Sequence, residues 1–196
     1  MHKDAICLIF RVPEIGKVKT RLAKEIGQVK AYEYYRCMLN ETINKALKID
    51  TAVLIGFYSG NKPKNGYDFP LYKQKGKDLG EIILNAVKKL KILGYRKIVV
   101  IGSDSPDMPE EFIKNALNLL DKSDFVIGPT EDGGFYLLGL TYIYDGIFCD
   151  INWGTHNVFE ALLKNIIRQK KSFLLLPLWY DIDSKKELLR WNVKLT

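Results

Sequence analysis

"KIVVIGSDSPDMPEE", residues 97–111, is an apolar run that stops abruptly at a carboxylate. Ile98, Val99, Val100 and Ile101 are consecutive and all β-branched, which suits a strand buried on both faces. Further on, Asp107, Pro109 and Glu110 read as a helix start, with a capping acid, a proline at the first helical position and an acid at the third. The pattern predicts a helix over residues 110–121 with Asp107 as its cap. Asp104 is then left without a structural duty at the mouth of the strand. Strand, acidic loop and helix together make one βα unit, and the rest of the chain repeats that alternation.

Strand candidates cover residues 5–10, 51–58, 70–73, 97–102, 124–128, 135–140 and 172–176. Helical patterns cover 28–48, 79–93, 110–121, 157–170 and 185–191. The first of these carries Tyr32, Tyr35, Leu39, Ile43 and Leu47 at three-to-four spacing. Strands alternating with helices imply an α/β fold with a mainly parallel sheet and right-handed crossovers. One connection breaks the rule. "PTEDGG" after Gly128 is too short for a helical crossover, so the sheet is expected to be mixed.

The 196 residues suit a single domain, residues 1–196, with a real core. Hydrophobic residues at 47% and charged residues at 27% give a globular balance. The longest apolar runs are too short for a bilayer, and residues 5–10 are too short for a signal-peptide core. A cytoplasmic protein with no membrane partner is expected. Three scattered cysteines form no disulfide framework or metal spacing and read as buried or half-buried thiols. The net charge of +7 fits a phosphate-rich small molecule, and no nucleic-acid-binding signature accompanies it. Composition leaves the oligomeric state open.

Ligands of open α/β sheets gather outside the carboxyl ends of the parallel strands. After the first strand comes "RVPEIGKVKTRLA", with Arg11, Gly16, Lys17, Lys19 and Arg21. After the fourth come Ser103, Asp104 and Ser105; after the fifth, Glu131 and Asp132; after the last, Asp181 and Asp183. One strand end is basic and three are acidic. Two unit charges about 4 Å apart repel by about 4 kcal/mol at an effective dielectric near 20. Converging carboxylates therefore take up a proton or hold a cation. A divalent cation held by one or two carboxylates, water and substrate phosphates fits this pattern, with the basic loop meeting the remaining phosphate charge. Asp132-Gly133-Gly134 reads either as a plain hairpin turn or as a glycine-lined approach to a ligand. Asp78 with Glu81, and Ser184 with Glu187, read as helix caps.

Some apparent motifs fail. "IGKVKT" lacks both the first glycine of a P-loop and the hydroxyl after its lysine. No GxGxxG follows the first strand, so the dinucleotide fingerprint is absent.

"FRVPEIGKVKTRLA", "DLGE", "GSDSPDMP", "GPTEDGGFYLLGL", "WGT" and "DID" together resemble a family of small glycosyltransferase-like proteins, the radical-SAM/selenodomain-associated transferases. That family resembles the GT-A fold of nucleotide-diphospho-sugar transferases, a three-layer α/β/α arrangement. The opening loop and "DGG" are also similar to 2-phospholactate guanylyltransferase and to molybdenum-cofactor nucleotidyltransferases. The resemblance implies that Arg11, Gly16, Lys17, Lys19, Arg21 and Ser103 bind nucleotide phosphates. It implies that Asp104 and Asp183 hold Mg2+ or Mn2+, that Asp104 and Asp132 are catalytic, and that Gly133 and Gly134 line the acceptor side. The implied partners are a nucleotide or nucleotide-sugar and a small-molecule acceptor. The implied activity is metal-dependent glycosyl transfer, with nucleotidyl transfer and a non-catalytic nucleotide-binding module as alternatives. One departure is visible: the family's "DLGERM" reads "DLGEII" here, so the basic residue after Glu81 is missing.

Overall fold

The computed structural model describes residues 4–63, 67–144 and 146–191. Its strands are β1 (Asp4–Arg11), β2 (Val53–Ser59), β3 (Leu71–Lys73), β4 (Lys97–Ile101), β5 (Phe125–Pro129), β6 (Phe135–Leu140) and β7 (Phe173–Leu175). They form one seven-stranded sheet in the order β3-β2-β1-β4-β6-β5-β7. β6 pairs antiparallel with both β4 and β5, while every other pairing is parallel. The short connector after β5 thus makes the sheet mixed, for the reason its length gives.

The helices are α1 (Thr20–Ile26), α2 (Gln28–Leu47), α3 (Leu79–Ile92), α4 (Glu110–Leu119), α5 (Val158–Arg168) and α6 (Lys185–Arg190). Alternating strand residues feed two cores. Ile6, Leu8, Val99 and Ile101 pack with Leu39 and Ile43 of α2 and Ile113 and Leu117 of α4. Cys7, Ile98, Val100 and Leu138 pack on the other face with Ile83 and Val87 of α3 and Leu162 and Ile166 of α5. The result is three α/β/α layers, with every residue of β4 buried. No helix among the described residues is long and apolar enough to cross a membrane.

The chain leaves β1 towards β2 on one side and reaches β4 on the other through α3. This reversal opens a crevice between the carboxyl ends of β1 and β4, where doubly wound sheets bind ligands.

Three local expectations need correction. Asp107 does not cap α4; the residue preceding that helix is Pro109, with no side-chain cap. The Asp107 carboxylate instead accepts hydrogen bonds from Trp179 Nε1 at 3.2 Å and from the Tyr180 hydroxyl. Both partners belong to the segment after β7, and their rings stack with centroids 5.7 Å apart. A partly buried acid offered two side-chain donors is engaged before it can turn back on its own helix. Thr20 and Arg21, the end of the basic loop in the sequence reading, open a helix, α1, that continues to Ile26. Cys149 is exposed, whereas Cys7 is buried and Cys37 half-buried. The other caps stand: Asp78 accepts from Glu81 N at 2.9 Å, and Ser184 and Glu187 form a capping box.

Candidate active site

The segment after β7 delivers the last acids to the crevice. It runs beside β5, with Leu176 N donating to Ile127 O at 2.8 Å and Trp179 N to Pro129 O at 3.0 Å. It then crosses to the end of β4, where Ile182 N donates to Asp104 O at 2.9 Å. Asp181 and Asp183, flanking this bond, therefore stand beside Asp104.

One ammonium joins them. Lys19 Nζ lies 2.8 Å from Asp104 Oδ1 and 2.9 Å from Asp183 Oδ1. The lysine side chain is 6% exposed, against 48% for Asp104 and 45% for Asp183. Lys19 sits at the N-cap of α1 with φ 44°, a left-handed conformation that is rare outside glycine. Burial alone would lower its pKa; the charges of Asp104 and Asp183, and their hydrogen bonds, overturn that and hold it above the ordinary lysine range. Burial pulls the Asp183 carboxyl up, but Lys19 and then Arg21 outweigh it and bring it below the ordinary aspartate value.

Asp181 behaves oppositely. Desolvation, then the charge of Asp104, push its carboxyl up to about 7, although Ser105 Oγ donates to it. The charge of Asp132, which lines the second cleft together with Asp181, raises it further. Asp132 is exposed and accepts from Thr130 Oγ1 and Gly134 N.

Tyr35 of α2 ties the two strand ends together. Its hydroxyl donates to Arg11 O at 3.0 Å, and accepts from Arg11 N at 3.0 Å and Ser103 Oγ at 3.2 Å. Ser103 is buried and its proton is committed to Tyr35, so it braces the crevice. Lys17 pairs with Glu14 at 2.9 Å and stays exposed. Arg21 reaches Asp183 Oδ2 at 3.5 Å with its side chain 77% exposed. Glu131 is drawn away by Arg190, which holds it at 2.7 and 3.0 Å.

Two clefts meet here. The first, about 430 Å³, is lined by Arg11, Lys17, Lys19, Arg21, Ser103, Asp104 and Asp183. The second, about 860 Å³, is lined by Arg21, Asp132, Gly134, Trp153, Asp181 and Asp183 among others. Arg21 and Asp183 stand on the border. Gly134 faces the second cleft, but Gly133 serves packing. A Cβ on Gly133 would lie 1.8 Å from His156 O, and its φ is 86°. Its own carbonyl accepts from Phe159 N at 2.9 Å, docking the turn against the start of α5.

The "DLGE" and "WGT" motifs also touch. A Cβ on Gly80 would sit 2.5 Å from the Trp153 ring, so the glycine makes the indole's seat. Trp153 and His156, neither of them among the residues the sequence singles out, both line the second cleft. Tyr35 and Gln74 were missed as well. Gln74 Nε2 donates to Phe10 O and Phe57 O, each at 2.9 Å, and pins the ends of β1 and β2. Nothing in their local sequence marks them, because their partners are distant in the chain and mostly main-chain atoms.

Asp104 and Asp183 already converge on one cationic atom and keep exposed carboxylate surface. That donor set fits a hard divalent cation completed by water and phosphate oxygens. Among the described residues no three acidic, histidine or cysteine side chains form a ready-made cage.

The DUF2064 family, described as uncharacterized proteins conserved in bacteria, matches residues 42–155. The chain belongs to this family. A crystal structure from Desulfovibrio desulfuricans G20, of a protein provisionally named a nucleotide-diphospho-sugar transferase, is 34% identical. The match covers 94% of this chain and 84% of that one, with a TM-score of 0.88. A 2-phospho-L-lactate guanylyltransferase of Methanocaldococcus vulcanius is 25% identical over 134 residues, which are 68% of this chain and 60% of the relative. The chain thus spans less than two thirds of that curated relative. At the level of fold alone, this DUF2064 member is similar to the 4-diphosphocytidyl-2C-methyl-D-erythritol synthase of Anaerococcus prevotii. There the identity is 11%, the TM-score 0.63, and the coverage 97% of this chain and 95% of that one.

Proposed function

We propose that the chain is a metal-dependent transferase acting on a nucleotide-activated substrate, with a nucleotide-diphospho-sugar as donor. The observation that carries this reading is the meeting of a cation-lined cleft and an acid-lined cleft at Arg21 and Asp183, beside Asp104. Arg11, Lys17 and Arg21 supply positive charge for phosphates in the first cleft, and Lys19 fixes the two carboxylates at its floor. A divalent cation held by Asp104 and Asp183 would supply electrostatic stabilisation of phosphate charge. The named transferase relative, at 34% identity over most of both chains, supports the same class.

In glycosyl transfer the acceptor oxygen bonds to the anomeric carbon while the bond from that carbon to the phosphate oxygen breaks. The acceptor proton passes to a carboxylate of the second cleft, Asp132 or Asp181, and a nucleoside diphosphate leaves. Arg21, exposed at the border, is placed to follow the departing charge.

Nucleotidyl transfer is the second reading, favoured by the match to a guanylyltransferase. The two release different products. Phosphorus NMR of the protein with sugar nucleotides or nucleoside triphosphates, Mg2+ and mixed acceptors separates them. The expected result is nucleoside diphosphate from a sugar nucleotide, abolished by Asp104→Asn. Pyrophosphate from a triphosphate would establish the second reading. Nucleotide binding with no product would mark a binding module.

A further inference from the structure

The second cleft differs from the first in the sign of its charge. Its acids are Asp132, Asp181 and Asp183, and Arg21 is its only lysine or arginine among the described residues. Arg21 stands at the border shared with the first cleft, 77% exposed, where the phosphates of the nucleotide compete for its charge. If a divalent cation takes up Asp104 and Asp183, Asp132 and Asp181 still face the cleft. The exposed carboxylate of Asp132 accepts hydrogen bonds and donates none. A ligand that brings donors suits these acids, whereas a phosphate or carboxylate group sets more negative charge beside them.

The apolar part of the wall is equally specific. The Trp153 ring is wedged against Gly80 and held by Phe135 and Phe148, with ring centroids 6.5 and 6.3 Å away. Braced on three sides and half-buried, the indole is held in place where it lines the cleft. Asn152 and Asn157 flank it, exposed, each with an amide that both donates and accepts. Hydroxyl groups use both capacities, whereas an ammonium only donates.

We propose that this cleft takes an uncharged acceptor bearing several hydroxyls and an apolar ring face, of the sugar or cyclic polyol class, and rejects phosphorylated and carboxylated acceptors. Calling it the acceptor cleft rests on the transferase reading above; its charge and aromatic wall do not. Sugar hydroxyls would meet Asp132 and the two asparagines while the ring's C–H face lies on Trp153.

Saturation-transfer NMR tests this with equal concentrations of methyl glucoside, methyl mannoside, glucose 6-phosphate, 3-phosphoglycerate and ethanolamine, in Mg2+, with and without a nucleoside diphosphate. The expected result is transfer to at least one glycoside, at least tenfold above that to either phosphate. Trp153→Ala should reduce it at least fivefold. Asp132→Asn, which keeps the turn's acceptor oxygen, should reduce it severalfold. Preference for a phosphate or for ethanolamine, transfer to no glycoside, or transfer that survives both substitutions would overturn the proposal. Nucleotide binding is read in the same samples from phosphorus shifts. Glycoside binding without nucleotide binding would sink the transferase reading and leave this one standing. Nucleotide binding with phosphate preference would do the reverse.

Discussion

Lys19 bridges Asp104 and Asp183 with one buried ammonium, which offsets one of their two negative charges. Removing it would leave two carboxylates facing each other. Truncating one partner of a fully buried pair costs about 3–5 kcal/mol, and the half-exposed acids here lower the expectation to about 1–3 kcal/mol. Lys19→Met should therefore melt earlier than the parent, and millimolar Mn2+ should recover more stability in the variant than in the parent; differential scanning fluorimetry reads both. Asp181 gives a pH signature. Its folded pKa of about 7 lies above the ordinary 3.8, so the folded state keeps a proton the unfolded chain has lost. The contribution is fully present below about pH 4 and disappears as pH rises through about 7. In metal-free protein, the stability difference between parent and Asp181→Asn should shift against the parent between pH 5 and pH 8. A constant difference across that range would contradict the assignment. Asp104 was legible because a buried strand ends on it with no other task. The split between Asp181 and Asp183 was not, since it depends on which one a distant lysine reaches.

The element that assembles the site is the segment joining β7 to α6. It hangs on Asp107 through Trp179 and Tyr180, on Glu131 through the main-chain hydrogen bond from Glu131 N to Trp179 O, and on Asp104 through the one from Ile182 N. Asp107→Ala would release two of these side chains and let Asp183 drift. The expected effect is a lower melting temperature together with weaker metal and nucleotide binding by calorimetry. Unchanged affinity would show that Asp183 is placed without Asp107. The turn between β5 and β6 is as constrained: Gly133→Ala needs a Cβ 1.8 Å from His156 O at φ 86°. It should destabilise by more than about 1 kcal/mol, read by urea denaturation, because neither backbone can retreat without losing the hydrogen bond to Phe159. The longer helices and all seven strands were legible from apolar period and turn residues. α1 was not. It buries Leu22 alone and has no side-chain cap, so neither periodicity nor a boundary signal marks it. Asp107 misled for the opposite reason, carrying a local cap signal that a tertiary contact overrides.

At the scale of the molecule, strand order places a basic strand end beside acidic ones, and α/β layering leaves the carboxyl edge of the sheet open above them. The division of charge between the two clefts is a property of this arrangement. Sequence order alone shows four charged loops without saying which share a wall. The central claim is that the first cleft binds nucleotide phosphates together with a divalent cation at Asp104. A ligand at about a hundred times its dissociation constant contributes roughly 2.7 kcal/mol, which is about 5–10 °C for a chain of this length. The decisive measurement is the thermal shift given by nucleoside diphosphates and sugar nucleotides, with and without Mg2+, on the parent and Asp104→Asn. The account predicts a shift of about that size for the parent with Mg2+, a much smaller one without it, and none in the variant. Equal shifts with and without metal, an undiminished shift in Asp104→Asn, or no shift with any nucleotide would contradict it.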